Sequence, residues 1–439
     1  MQKVLCVFGT RPDAIKMAPV VLELKRRPDQ FTVHVAVTGQ HREMLDQVLS
    51  VFAIRPDFDL DIMTQGQTLA QVTTRALNGL DPILASEQPD WVLAQGDTTT
   101  TFVAALAAFY HQAKFGHVEA GLRTGNPYDP FPEEMNRLLT TRLATLHFPP
   151  TPEAASNLRA DGVGESAIVL TGNTVIDALL DVAAKPYTPA DPVLRDILDD
   201  PRRMILVTTH RRENWGEPMA RIGRAVLHLV DAFPDTVAVV PWHRNPIVRN
   251  ALRPLLDGHP RVRLIEPQDY VPFVKLEGKA TLILTDSGGV QEEAPSLGKP
   301  VLVLRETTER PEGVAVGTAK LVGTDTDLIV SEAARLLSDP AAYAAQSRAV
   351  SPYGDGQAAR RIAEALAPAG TAPTPGRTAP TPGPSLHPAA EALRAGAASG
   401  RGESEVGLLS PSPFPKGEGP GVGAVLPGAS ASFGPEANP

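Results

Sequence analysis

The chain is poor in the residues that staple, anchor or stack a protein. Among 439 residues there is one cysteine, Cys6. An internal disulfide is therefore impossible, and a cysteine-built metal site has no basis. That scarcity suits a reducing cytoplasm. Aromatic residues make up 5% and do not interleave with basic ones, so no stacking platform for single-stranded nucleic acid is visible. Positive charge is also in deficit: 41 Lys and Arg face 50 Asp and Glu, a formal net charge of −9. Such a balance argues against non-specific nucleic-acid binding and against an anionic membrane surface. No apolar run approaches the roughly 20 residues that span a bilayer. The opening MQKVLCVFGTRPDAIK lacks the layout of a signal peptide and reads as a first strand. His111, His117, His147, His210, His228 and His243 are scattered, without HExxH or H-x₃-H spacing, so no metal is expected.

What is present is an ordinary globular composition, 42% hydrophobic and 21% charged, long enough for two domains with sizeable cores. The last 72 residues, 368–439, stand apart with 14 prolines, 13 glycines and two aromatics, Phe414 and Phe433. A segment that buries so little cannot offset its chain entropy, and disorder is expected there.

Over 1–367, short β-branched runs alternate with longer amphipathic stretches. Val4–Phe8, Thr32–Val37, Trp91–Ala94, Phe115–Val118 and Ala167–Leu170 read as buried parallel strands, and so do Met204–Thr208, Thr236–Val240, Val262–Ile265, Thr281–Leu284 and Val301–Val303. Helical patterns lie between them, among them Pro12–Lys25, Arg42–Val51, Thr99–His111, Glu133–Leu143 and Met219–Phe233, with a last one over Gln357–Leu366. This alternation predicts an α/β protein of two doubly wound, Rossmann-like domains, 1–170 and 171–354, with the helix in 355–367 joined to the first.

In such sheets ligands sit beyond the carboxyl ends of the strands. The loops there are rich in polar residues: Gly9-Thr10-Arg11-Pro12, Gly96-Asp97-Thr98-Thr99, Glu119 to Thr124, Thr209 to Asn214 and Asp286-Ser287-Gly288-Gly289. The last can be argued physically. A strand ends, Ser-Gly-Gly turns, and a helix begins, leaving exposed amides that favour an anion. Glu292 or Glu293, further along that helix, can accept from ribose hydroxyls. The alternative is an ordinary glycine-rich turn with a helix cap. His210, Arg211 and Arg212 supply cation density suited to a diphosphate, or simply form a solvated basic edge. Asp97, Glu119, Glu133 and Glu134 form a carboxylate group able to serve as general acids and bases if burial or like charge raises their pKa. Helix capping is the competing reading for Asp97, Glu133 and Glu134. Cys6, mid-strand, reads as core.

Taken together, VFGTRPDAIKMAPV, TGQHREMLDQV, GDTTTT, HVEAGLRTGN, PFPEEMNR, TGNTVIDAL, THRRENWGEPM, LTDSGGVQEEAPSLGKPVLVLRETTERPEG and SPYGDGQAARRI resemble the non-hydrolysing UDP-N-acetylglucosamine 2-epimerases of bacteria, over roughly 1–367. The resemblance implies the glycosyltransferase-B architecture, two domains facing a cleft. It implies interconversion of UDP-GlcNAc and UDP-ManNAc by anti elimination of UDP to a 2-acetamidoglucal, followed by re-addition, with no metal or other cofactor. By resemblance the catalytic residues are Asp97, Glu119, Glu133 and His210. The substrate-binding residues are Arg11, Lys16, Gln268, Phe273, Ser287, Gly288, Gly289, Glu293 and Arg310. Gln40, His41, Gln67, Glu134, Arg211 and His243 resemble a second, regulatory UDP-GlcNAc site. Asp13 stands where Glu is common in the family and should still cap its helix. A cytoplasmic homodimer acting on a nucleotide sugar, with neither nucleic acid nor membrane as partner, is the implied setting. Competing readings are a sugar transferase on the same fold, a hydrolysing epimerase that releases ManNAc, and a nucleotide-sugar sensor without catalysis.

Overall fold

Residues 1–39, 42–64, 66–348 and 350–367 are described by the computed structural model. The chain divides into two units, Met1–Thr374 and Pro375–Pro439, and the second lies outside the described residues, as does the whole segment 368–439.

Strands β1 (Gln2–Phe8), β2 (Phe31–Val37), β3 (Phe58–Asp59), β4 (Trp91–Gln95), β5 (Lys114–Val118) and β6 (Leu146–Phe148) form a parallel sheet in the order β3-β2-β1-β4-β5-β6. Its helices are α1 (Arg11–Lys25), α2 (Arg42–Val51), α3 (Leu69–Glu87), α4 (Thr99–Tyr110), α5 (Glu133–Leu143) and α6 (Pro152–Ala160). After α7 (Thr174–Ala184) and α8 (Pro192–Asp199) the pattern repeats. Strands β7 (Arg203–Thr208), β8 (Thr236–Pro241), β9 (Val262–Ile265), β10 (Ala280–Thr285), β11 (Val301–Val303) and β12 (Ala319–Leu321) form a second sheet, β12-β11-β10-β7-β8-β9. Helices α9 (Glu217–Ala232), α10 (Pro246–Leu256), α11 (Tyr270–Lys279), α12 (Gly288–Ser296), α13 (Pro311–Ala315), α14 (Thr326–Ser338) and α15 (Pro340–Ser347) accompany it, and α16 (Ala358–Leu366) ends the described chain.

Period-two alternation explains why apolar runs become central strands. In β1, Val4, Cys6 and Phe8 enter one buried cluster while Leu5 and Val7 enter the cluster on the opposite face. In β7, Ile205 and Val207 point one way and Met204 and Leu206 the other. Helices cover both faces, so both sets are buried. Cys6 is core, as its position predicts.

Both sheets share one topology, and each reverses strand order at one place, between β1 and β4 and between β7 and β10. At those points neighbouring loops diverge to opposite faces and leave a crevice. The loops that open there are Gly9–Pro12, Gly96–Thr99, Thr209–Arg212 and Asp286–Gly289. Caps fix where the helices begin. Thr10 accepts from the amide of Asp13, and the Asp13 carboxylate accepts from the amides of Gly9 (3.3 Å) and Thr10 (3.2 Å), the reciprocal cap expected of that residue. Thr98, not Asp97, caps α4.

Some expectations need correction. Ala167–Leu170 is not a strand: only Ile168 bridges to His147, and Leu170 is 48% exposed beyond the last ladder. The two- and three-residue strands β3, β6 and β12 are too short to show a period. Helix α7 packs with the first sheet's core: Val175, Ile176 and Leu179 share a cluster with Met17, Val21 and, from α16, Ile362 and Ala363.

Gly121 fixes the loop after β5. Its φ is +90°, and a Cβ there would lie 2.2 Å from the Ala154 carbonyl oxygen at the start of α6. Gly121→Ala should destabilise the protein by about 3 kcal/mol or more through backbone strain and overlap, read as a lower urea midpoint at unchanged slope. A loss under about 1 kcal/mol would mean that α6 yields freely.

Candidate active site

A cavity of about 580 Å³ opens at the crevice where the carboxyl ends of the two sheets meet. Arg11 and Lys16 of α1 line it from one side. His210, Gln268, Phe273, Ser287, Gly289, Glu293 and Arg310 line it from the other. Every residue named from sequence as substrate-binding is thus on its wall except Gly288, which sits between two that are.

The second sheet contributes an anion-seeking wall. Ser287 precedes the first turn of α12, whose leading amides have no helical partners. Beside it, Asp286 is fully buried and organises the loop after β7. Its carboxylate accepts from the amides of His210 (2.9 Å) and Arg211 (3.0 Å), from the Thr209 hydroxyl (2.9 Å) and from Asn214 Nδ2 (3.0 Å). Burial pushes this carboxyl up, but the bond and charge of His210 with these amides hold it below the usual range. His210 Nδ1 lies 3.2 Å from Asp286 Oδ1, which leaves Nε2 for the cavity.

The first sheet contributes carboxylates. Glu119 follows β5 with φ +60° and is buried. Lys16 Nζ donates to both of its oxygens, at 2.6 and 2.7 Å. Gln95 Nε2 and Asn173 Nδ2 also donate to it, the latter at 2.9 Å. Burial alone would raise its pKa, yet Lys16 outweighs burial and holds it down. Asp97 goes the other way. Burial raises it against the pull of Arg137, whose Nη1 is 2.5 Å from Oδ2, and Glu119 and Glu133 add to the rise. On the second sheet's side Glu293 is pushed up to about 8 by burial and by neighbouring Glu292, against Lys16. Opposite shifts among neighbouring acids mark groups suited to taking and giving protons. Among the described residues no group of three His, Cys, Asp or Glu is arranged to hold a metal ion.

Comparison with known proteins decides the family. Residues 22–367 match the family model for UDP-N-acetylglucosamine 2-epimerase. The chain belongs to the UDP-N-acetylglucosamine 2-epimerase family. It is thereby an isomerase. It is 56% identical to the UDP-N-acetylglucosamine 2-epimerase of Bacillus subtilis, covering 83% of this chain and 94% of that one. It is 55% identical to that of Escherichia coli K12, covering 83% and 98%. The crystal structure of UDP-GlcNAc 2-epimerase from Neisseria meningitidis bound to UDP-GlcNAc is 49% identical, covers 83% of this chain and 99% of that one, and superposes with a TM-score of 0.71. The family's glycosyltransferase-B architecture, two Rossmann-like domains facing a cleft, is the one observed. No helix among the described residues is long and apolar enough to cross a membrane.

The described residues that resemble the family's regulatory set each have partners of their own. Gln40 and His41 lie outside the described residues. His243 stacks on His210 with ring centroids 6.0 Å apart, and Arg211 pairs with Glu309 at 3.3 Å. Glu134 is buried, 2.6 Å from Arg137, and accepts from the amides of Thr124 and Gly125. Gln67 takes Arg75 Nη1 at 3.0 Å on an exposed loop.

Sequence reasoning passed over Gln95, Arg137, Asn173 and Asp286 as site residues of this epimerase-family chain. Each works through partners about 20 to 120 positions away, a relation no local pattern carries. Asp286, Asn173 and Arg137 did stand inside recognised motifs, TDSGG, TGNT and PFPEEMNR.

Two buried histidines support the acid loops. His117 Nε2 is 2.7 Å from the carbonyl of Gly96, which precedes Asp97, and His147 lies opposite in the β5–β6 register. Burial depresses them to about 3 and about 4. The unfolded chain takes up these protons below about pH 6.5 and the fold does not, so each removes about 1.4 kcal/mol of stability per pH unit as pH falls from there toward the folded value. Their imidazole NMR signals should not move between pH 8 and pH 5. A midpoint near 6.5 for either would refute the assignment.

Proposed function

We propose that the protein interconverts UDP-N-acetylglucosamine and UDP-N-acetylmannosamine by inverting sugar carbon 2, without net hydrolysis. The observation carrying this reading is a single cavity that pairs a diphosphate-seeking wall, Ser287 and Gly289 with His210 and Arg310, with Lys16 on its other side, and Lys16 is bonded to the buried carboxylate of Glu119 behind it. The relative from Neisseria meningitidis, solved with UDP-GlcNAc bound, supports the choice of ligand. The hydrogen at carbon 2 is not acidic, so its removal needs concerted loss of a good leaving group. One carboxylate takes that proton, the electron pair forms the C1–C2 double bond, and UDP departs with the C1–O pair. In the return step a carboxyl group delivers a proton to carbon 2 on the opposite face, and a β-phosphate oxygen adds back to carbon 1.

The directions of the pKa shifts assign roles. Glu119, held ionised by Lys16, suits proton removal. Asp97, raised by burial, suits proton delivery, and the two exchange tasks in reverse. Glu133, whose charge adds to the rise of Asp97 after burial and Glu119, favours the protonated form of that acid. His210, Arg11 and Arg310 with the α12 amides stabilise departing UDP and keep it bound. Gln268 and Phe273 take the uracil side, and Glu293 the ribose. Residues 1–170, with α7 and the returning helix in 355–367 packed on them, carry the acid–base set, and the lobe of the second sheet grips the nucleotide. A cytoplasmic site of action fits a chain with one, buried, cysteine.

We also propose a homodimer. Tyr128 and Phe131 stack at 6.4 Å on the loop before α5, and Met135 and Leu139 follow one helical turn apart on its outer face, all exposed. An apolar run of this kind favours a partner. Leu139→Asp should shift the mass measured by light scattering from dimer to monomer; a monomeric unsubstituted protein would refute this.

Proton NMR of UDP-GlcNAc in heavy water tests the chemistry. Deuterium should enter carbon 2 without any acceptor, the ManNAc isomer should appear, and phosphorus spectra should show no accumulating UDP. Retained hydrogen and no conversion would sink the reading; accumulating UDP would mean hydrolysis. Asp97→Asn, Glu119→Gln and Glu133→Gln should each lower turnover by about 10²–10⁴-fold while UDP still binds.

A further inference from the structure

Asn173 caps α7, the last helix of the first lobe before the chain crosses to the second, and it is 2% exposed. Its backbone amide donates to the carbonyl of Tyr353, on the second crossover, at 2.6 Å. Its Oδ1 accepts from the amide of Val175 (3.1 Å) and caps α7. Since that partner is a donor, the other end of the amide must be the NH₂ group. Both of its hydrogens are used. Nδ2 lies 2.9 Å from Glu119 Oε1 and 2.8 Å from Glu292 Oε2. Glu119 is held by Lys16, and Glu292 by Arg310. The result is one connected row, Lys16–Glu119–Asn173–Glu292–Arg310, whose two cations both line the cavity.

We propose that Asn173 is a positioning residue that couples the nucleotide-binding lobe to Glu119 through its side-chain amide. The proposal rests on the epimerase reading above. Glu119 comes from the first lobe and Glu292 from the second. Two carboxylates this close repel unless something donates to both. An asparagine does so without adding charge, and its oxygen still serves the helix. Arg310, by engaging the departing diphosphate, fixes Glu292; the amide then fixes Glu119 against the sugar. A displacement of about 1 Å at a reacting group is enough to lose about 10²-fold in rate.

Two substitutions separate this role from helix capping, because Asp and Ser are both good N-caps. Asn173→Ser keeps the cap but is too short to reach either carboxylate. Asn173→Asp keeps size and cap but faces Glu119 and Glu292 with a third carboxylate. Around that position the charged groups are Glu119 and Glu292, with Lys16 and Arg310 behind them and Glu293, pushed up to about 8, beside Glu292; Glu293 is common to every variant, so its titration cancels when each pH profile is divided by that of the unsubstituted protein. Asp177 on the same helix turns away to the amides of α16, and the Tyr353 hydroxyl is bonded to Gly313 and Arg310. At pH 8 both variants should lose about 10²-fold or more in kcat, with the Kd for UDP within about threefold of the unsubstituted protein. Lowering the pH to 6 should recover part of the loss for Asn173→Asp only, because its protonated carboxyl regains one donor.

Unchanged kcat in Asn173→Ser, or an Asn173→Asp profile parallel to that of the unsubstituted protein, would overturn the proposal. So would loss of UDP binding together with activity. If Asn173→Asp does not fold, Asn173→Ser decides by its split of kcat from Kd. Carbon-2 exchange by the unsubstituted protein is the control: its failure would sink the epimerase reading, and the positioning role with it.

Discussion

The ion pair between Lys16 and Glu119 is the joint on which the rest of the site depends. It ties the first turns of α1 to the loop after β5, across the switch point of the first sheet, with both carboxylate oxygens bonded. A pair this enclosed gains little net stability, because desolvation consumes most of the Coulomb attraction. Removing one partner is another matter, since the survivor is left charged and dry. The pair therefore acts less as a rivet than as a specification. It holds Glu119 ionised, in a left-handed backbone conformation that its neighbours over-determine. Lys16 also faces the cavity, so any anion bound there competes for the same ammonium and changes what Glu119 feels.

That competition gives the opposed protonation tendencies a common cause. Glu119 lies against a cation and is held down. Asp97 also lies against a cation, Arg137, but burial outweighs it, and Glu119 and Glu133 both add to its rise. Glu293 is raised by Glu292, which is itself committed to Arg310 and Asn173. Each acid is set by which neighbour already owns the nearest cation. Those cations are Arg137 for Asp97, Lys16 for Glu119 and Arg310 for Glu292, and a diphosphate in the cavity would draw on the last two. Binding of the leaving group and tuning of the proton-transfer groups are thus one electrostatic problem.

Much of this was legible in the sequence because parallel sheets place their chemistry predictably. Apolar runs such as Val4–Phe8 and Met204–Thr208 are buried on both faces, and the polar loop after each must fall at the cleft. Hence Arg11, His210, Ser287 and their neighbours could be named from position as well as from motif. The failures have physical reasons. Ala167–Leu170 is apolar enough for a strand, but only Ile168 meets a neighbouring strand. Strands of two or three residues carry no periodicity. Helices α6 and α8 start with Thr151-Pro152 and Asp191-Pro192, a cap followed by proline, a signal that was there but is weak without a long apolar face. Asn173 and Asp286 stood in recognised segments, yet their partners are fixed only once distant loops converge.

The two crossovers explain why so long a chain can hold so small a set of acids in register. Helix α7 belongs by packing to the first lobe, and both connections to the second lobe are tied to it. Asn173, at its start, binds the carbonyl of Tyr353; Asp177, one turn on, accepts the amides of Ala358 and Ala359 at the start of α16. The Tyr353 hydroxyl in turn accepts from the amide of Gly313 and bonds the carbonyl of Arg310. The hinge strands are therefore not passive cords. They are hydrogen-bonded to Gly313 and Arg310 of the second lobe and, through the Asn173 amide, to Glu119 of the first. A rotation of the second lobe about α7 must change Arg310, Glu292 and Glu119 together or break buried bonds, so on the epimerase reading proposed above any closure of the lobes and the alignment of these groups would be one motion rather than two.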